Sequence, residues 1–285
     1  MEQHQAVAAD STQPWSLSDG RAGNARQSNA LASALAVGEP REWRLSGRPP
    51  WRWLAPRRLP GSDDAFGRSF AEALHATPPA LAIGCGRQAA LATRLLRSRG
   101  AKAIQILDPR IDPAHWDVVV APEHDGLRGG NVITTLGSLH PVDDAWLARA
   151  REQFAGFTDL PRPRTALLLG GPSAHARFDR SAFEVLAAKL DAVLVREGGS
   201  VLVTTSRRTP RELREALRHR YDGTPGIVWR GEEDGANPYP GLLAWADRIV
   251  CSPDSVNMIS EACATRVPVF VFDPARVREI GRAHV

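Results

Sequence analysis

Short apolar runs rich in valine, isoleucine and leucine alternate along this chain with longer stretches in which apolar residues recur every three to four positions. Runs apolar on successive residues suit strands buried on both faces, and the longer stretches supply the covering helices. The pattern therefore predicts an α/β protein built on parallel sheets. Strands are expected at 15–18, 42–45, 81–84, 103–107, 118–121, 132–135, 166–170, 201–205, 227–229, 249–252 and 269–272. Helices are expected at 25–35, 65–74, 89–96, 143–157, 180–196, 210–218, 239–246 and 256–264. The proline-rich segment 156–164, GFTDLPRPR, separates two such series. It predicts a disordered tail over 1–12, a first Rossmann-like domain over 13–158 and a second over 163–285. In such an arrangement a ligand is expected in the cleft between the halves, at the carboxyl ends of the strands.

Composition narrows the classes. With 285 residues, 43% hydrophobic and 24% charged, the chain is neither disordered nor collagenous. The formal charge of +4 is nearly all arginine, since Lys102 and Lys189 are the only lysines, a coding bias expected of a GC-rich genome. Arginines are interspersed with acids and form no long block, so nucleic acid is not an expected partner. Cys85, Cys251 and Cys263 form no CxxC pair and have no metal-ligand spacing with histidine. No signal peptide opens the chain and no stretch approaches the ~20 apolar residues of a membrane span, which points to the cytoplasm.

Candidate chemistry gathers at predicted strand ends. SDGRAGNARQ (18–27) places Asp19, Gly20 and Gly23 in a strand-to-helix turn. That turn is readable as an anion site at a helix N-terminus or as a capped structural turn. IGCGRQAA repeats the device around Cys85, with packing the preferred reading. APEHDG brings Glu123, His124 and Asp125 to one strand edge, where a histidine beside a carboxylate can take a proton from a hydroxyl. His140 in GSLHP is a weaker candidate.

In the second half, LLLGGPS exposes the amides of Gly170 and Gly171 and the hydroxyl of Ser173, a phosphate-binding pattern. TTSRRTP adds Ser206, Arg207 and Arg208, which suit a diphosphate. The segment 249–272 carries Ser252, Asp254 and the N-cap candidate Ser255. On the helix after it, Asn257, Ser260 and Glu261 are expected to point together at a ligand. The cluster RPPWRWLAPRR, with Trp43 nearby and Trp51 and Trp53 within it, reads as a loop packed over the core in preference to a patch for an acceptor lipid or membrane surface.

The last of these segments resembles the carboxyl-terminal half of a GT-B glycosyltransferase. More closely, WSLSDGRAGNARQ, PEHD, LLLGG, TTSRRTP, NPY and DSVNMISEA, in this order over 15–272, resemble the "elongated mitochondria" mitochondrial-fission family and its bacterial relatives. The resemblance implies two Rossmann-like domains in a GT-B arrangement. It further implies metal-independent glycosyl transfer, with no cofactor and a nucleotide-sugar donor. Gly170, Gly171, Ser173, Ser206, Arg207, Ser255, Asn257 and Glu261 would hold the diphosphate and ribose. Asp19, or the His124–Asp125 pair, would deprotonate the acceptor. The acceptor is unidentified, with a membrane-associated one compatible with a bacterial, cytoplasmic protein peripheral to the inner membrane. The alternatives are a non-catalytic adaptor recruiting a protein partner, and a nucleotide-sugar hydrolase or epimerase.

Two departures from the family pattern bear on the second half. Arg266 stands before Val267-Pro268 where the family usually has glycine. No terminal helix follows the final apolar run. The last residues, EIGRAHV (279–285), can be encoded by GAGATCGGAAGAGCACACGTC, the start of a common sequencing adapter, which implies a truncated gene model.

Overall fold

The computed structural model describes residues 13–35, 39–173, 176 and 178–272. The expected tail over 1–12 and the expected truncation at 279–285 both lie outside the described residues. Two compact units divide the chain between Pro141 and Val142.

All eleven predicted strands form. In the first unit, β1 (Trp15–Ser18), β2 (Arg41–Arg44), β3 (Leu81–Cys85), β4 (Lys102–Ile106), β5 (Val118–Pro122) and β6 (Val132–Thr135) make a parallel sheet in the order β2-β1-β3-β4-β5-β6. Helices α1 (Ala22–Leu35), α2 (Trp51–Leu54), α3 (Arg68–His75) and α4 (Arg87–Arg97) accompany it. Side chains alternate across each strand, so β3 sends Ala82 to one core with Phe70, Leu91 and Leu95, and Ile83 and Cys85 to another with Ala32 and Ile106. Trp116 is buried, and its indole N–H donates to the Thr93 hydroxyl of α4 at 2.8 Å, as a buried indole requires.

The second unit holds β7 (Arg164–Leu169), β8 (Ser200–Thr205), β9 (Gly226–Trp229), β10 (Arg248–Cys251) and β11 (Val269–Val271), parallel in the order β11-β10-β7-β8-β9. Its helices are α5 (Asp144–Gln153), α6 (Arg180–Glu197), α7 (Arg211–Leu217), α8 (Tyr239–Trp245) and α9 (Val256–Cys263). Strand β7 is buried throughout: Leu167 and Leu169 face Phe183, Leu186 and Leu213, while Ala166 and Leu168 face Leu242, Ile249 and Ala262. This two-sided burial explains why the strand reads as an unbroken apolar run.

The boundary between units differs from the expected one. Helix α5 belongs to the second unit, because Val142, Leu147 and Ala150 are buried in the same core as Tyr239, Leu242 and Leu243. Segment 156–164 is thus an internal connection of the second unit, fixed where Arg164 donates to the carbonyls of Thr158 and Leu160. The helix expected at 143–157 also stops at Gln153 and gives way to a 3-10 turn, Ala155–Asp159.

Candidate functional site

In the first unit, Asp19 follows β1 directly. Its Oδ1 accepts from the backbone N–H of Arg21 at 3.1 Å and from Asn24 Nδ2 at 3.0 Å, so the carboxylate ties down the turn that starts α1. Gly86 fits closely against this turn: it has φ +87°, and a Cβ there would lie 2.6 Å from Asn24 Nδ2. The Asp19 charge adds to burial in raising the Cys85 thiol far above its ordinary range. His124 and Asp125 sit on a 3-10 turn after β5, with His124 Nε2 3.8 Å from Asp125 Oδ1. That is ion-pair range, beyond a hydrogen bond. Asp19 and His124 share the carboxyl edge of the sheet, but β3 and β4 separate their strands. Three strand spacings amount to about 14 Å, so the two are alternatives and not a catalytic pair.

In the second unit the strand-end loops are knotted around Asp254, whose side chain is fully buried. Its Oδ2 accepts from the Gly171 N–H at 2.8 Å and from Arg208 Nη2 at 3.0 Å. Its Oδ1 accepts from Ser252 Oγ at 2.6 Å, and that hydroxyl in turn accepts from the Gly170 N–H at 2.8 Å. Thr209 Oγ1 donates to the backbone carbonyls of Leu169 and Gly170. One carboxylate thus joins the loops after β7, β8 and β10.

This knot corrects the reading of the glycine pair. The Gly170 and Gly171 amides, expected to cradle phosphate, are spent inside the unit. Both residues are glycine for packing reasons: a Cβ on Gly170 would lie 2.0 Å from Asp254 Oδ2, and one on Gly171 2.0 Å from the Arg208 carbonyl oxygen. Ser173 likewise serves its own loop, its Oγ accepting from the Ala176 N–H at 3.0 Å. Asp254 was legible only as a polar residue in SPDS, since nothing in the sequence tells a solvated turn carboxylate from a buried one.

The same loop cluster includes the start of α9. Ser255 caps it as expected, accepting from the Met258 N–H at 3.4 Å. Asn257 and Glu261 are one turn apart on it, while half-buried Ser260 bonds the Val256 carbonyl at 2.8 Å. Glu261 is 3% exposed and accepts from the Tyr239 hydroxyl, joining the NPY and DSVNMISEA motifs within one unit. Around the knot lie exposed Arg207, half-buried Ser206, whose hydroxyl accepts from the Arg208 N–H at 3.2 Å, and the start of α9 with Ser255 and Asn257. Arg207 adjoins Arg208 and Ser255 adjoins Asp254, so the Arg208–Asp254 contact holds the two groups in one loop cluster.

Among the described residues, no group of three or more His, Cys, Asp or Glu side chains is placed to hold a metal ion, and no helix is long and apolar enough to cross a membrane.

Two parallel Rossmann-type sheets with strand-end loops of this kind define an α/β protein whose fold matches GT-B structures. The UDP-GlcNAc 2-epimerase of Methanocaldococcus jannaschii aligns with a TM-score of 0.55 at 12% identity, covering 91% of this chain and 83% of that one. Acinetobacter baumannii MurG aligns with a TM-score of 0.46 at 14% identity, covering 93% and 79%. The chain belongs to the family described as "Mitochondrial fission ELM1", whose profile matches residues 22–284. It is 32% identical over 221 residues to Mitochondrial fission protein ELM1 of Arabidopsis thaliana, covering 68% of this chain and 51% of that protein, so it spans about half the length of that relative. It is also 22% identical over 301 residues to the uncharacterized protein RP120 of Rickettsia prowazekii (strain Madrid E), covering 91% and 83%.

Proposed function

We propose that the second unit binds a nucleotide-sugar at the carboxyl edge of its sheet, and that the chain is a metal-independent glycosyltransferase of GT-B type. The observation that carries this reading is the Asp254 knot, which presents exposed Arg207 beside the capped start of α9. A guanidinium and a helix N-terminus together favour a diphosphate. Ser206, Ser255 and Asn257 supply the remaining polar contacts. Glu261, which the Tyr239 hydroxyl bonds, takes the ribose. In the first unit, Asp19 or His124 is the proposed base for an acceptor hydroxyl.

Titration calorimetry with UDP-, GDP-, ADP- and CMP-sugars tests this. The expected result is binding of one donor, weakened by at least about tenfold in Arg207→Ala, as losing a charge-assisted bond implies. Failure of every donor to bind overturns it. A second reading, a non-catalytic scaffold, is favoured by the glycine amides being spent within the fold. It predicts retained binding of a protein partner in Arg207→Ala.

A further inference from the structure

The stretch 47–60, GRPPWRWLAPRRLP, contains four arginines and no acid. The structure turns much of it outward. Trp43 and Trp51 pack against the first unit's core, as expected. Trp53 does not: it is 65% exposed, next to Leu54 at 40%, with Leu59 at 37% a few residues on. Arg52, Arg57 and Arg58 are exposed around them, and none of the three guanidiniums has a carboxylate partner among the described residues. The Arg58 charge is felt by Arg94, whose pKa is lowered first by burial and then by that neighbour.

The protruding segment is held in place. Ala55 and Pro56 are buried, and the Pro56 carbonyl accepts from Arg94 Nη1 at 2.6 Å. The Arg52 carbonyl accepts from Gln88 Nε2 at 2.9 Å and Arg87 Nη2 at 3.2 Å. An indole and a leucine fixed in water among unpaired cations match a surface that is anionic outside and apolar beneath. A protein partner would need a shaped pocket for the ring, whereas a bilayer needs none.

We infer that this surface docks the protein on an anionic lipid bilayer. Trp53 and Leu54 enter the headgroup zone, and Arg52, Arg57 and Arg58 meet the lipid charges. The proposal concerns the first unit alone and stands whether or not a nucleotide-sugar binds the second. Cosedimentation with phosphatidylcholine vesicles, with and without phosphatidylglycerol, tests it, thermal melts confirming that each variant folds. Binding is expected only with phosphatidylglycerol, weakening with salt. The double variant Arg57→Ser/Arg58→Ser is expected to bind about 25-fold less tightly at low salt, roughly fivefold per cation. Trp53→Ser/Leu54→Ser is expected to lose about tenfold or more. Three outcomes overturn the proposal: no binding to phosphatidylglycerol vesicles, binding unchanged in both variants, or conversion of an oligomer to a monomer by Trp53→Ser/Leu54→Ser.

Discussion

Replacing Asp254 by alanine removes the acceptor that three donors share. Two of them, the Gly171 N–H and the Ser252 hydroxyl, are buried and lose that bond, each at a cost of about 1–3 kcal/mol. The third, Arg208, has a side chain 49% exposed and turns to water, so its share is at most about 1 kcal/mol. Asp254→Ala should therefore cost about 2–7 kcal/mol, a large part of the 5–15 kcal/mol typical of a domain. Arg208→Ala should cost at most about 1 kcal/mol. With a urea slope near 2 kcal/mol per molar, the first change lowers the second unit's midpoint by roughly 1–3.5 M and the second by at most about 0.5 M. Two units can unfold separately, so amide exchange of the peptide containing Gly171 provides a local readout. Its protection should fall in Asp254→Ala more than in Arg208→Ala. An unchanged midpoint with unchanged Gly171 protection would refute the knot.

Three further outcomes follow from particular contacts. Cys263 is exposed while Cys85 and Cys251 are buried, the latter with its thiol pushed up to about 12 mainly by burial, so a thiol reagent should titrate one cysteine in the native protein and three after unfolding. Two fast-reacting native thiols would contradict this. The hydrogen bond from Arg230 holds the Asp234 carboxyl below the usual carboxylate range. A lowered folded pKa contributes stability above the unfolded value of about 3.9 and loses it as pH falls through the folded value, so Asp234→Asn should flatten the acid limb of a stability–pH curve. An acid limb identical to the parent's would count against it. Arg266 adopts φ +64°, where a side chain costs about 1–2 kcal/mol, and glycine returns about 0.5–1 kcal/mol of that through its freer unfolded chain. Arg266→Gly should thus raise stability by about 0.5–1 kcal/mol in thermal melts, less the small share of the exposed Asp144 pair; a clear loss would show that the left-handed turn is not strained.

Periodicity made the fold legible, and burial made the site less so. β7 and β8 read as strands because both faces are covered, and the caps at Asp143, Asp179 and Ser255 sit where polar residues precede apolar-periodic stretches. The domain boundary misled because proline content marks a rigid connection as readily as a linker, and only the partners of Leu147 and Ala150 decide which unit owns α5. The glycine pair misled for a related reason. A strand followed by two glycines looks the same whether its amides meet a phosphate or a carboxylate from the same chain, and here Asp254 occupies the place an anion would take. LLLGG is therefore accounted for by packing, and its presence lends no weight to donor binding. That weight falls on exposed Arg207 and on the start of α9, since Ser206 accepts from the Arg208 N–H at 3.2 Å and Ser255 caps the helix. If a nucleotide-sugar binds this unit, substitution of Arg207 should change affinity while leaving the urea midpoint nearly fixed, whereas substitutions at Gly170, Gly171 or Asp254 should move both, and loss of the Ser255 cap should lower the midpoint as well.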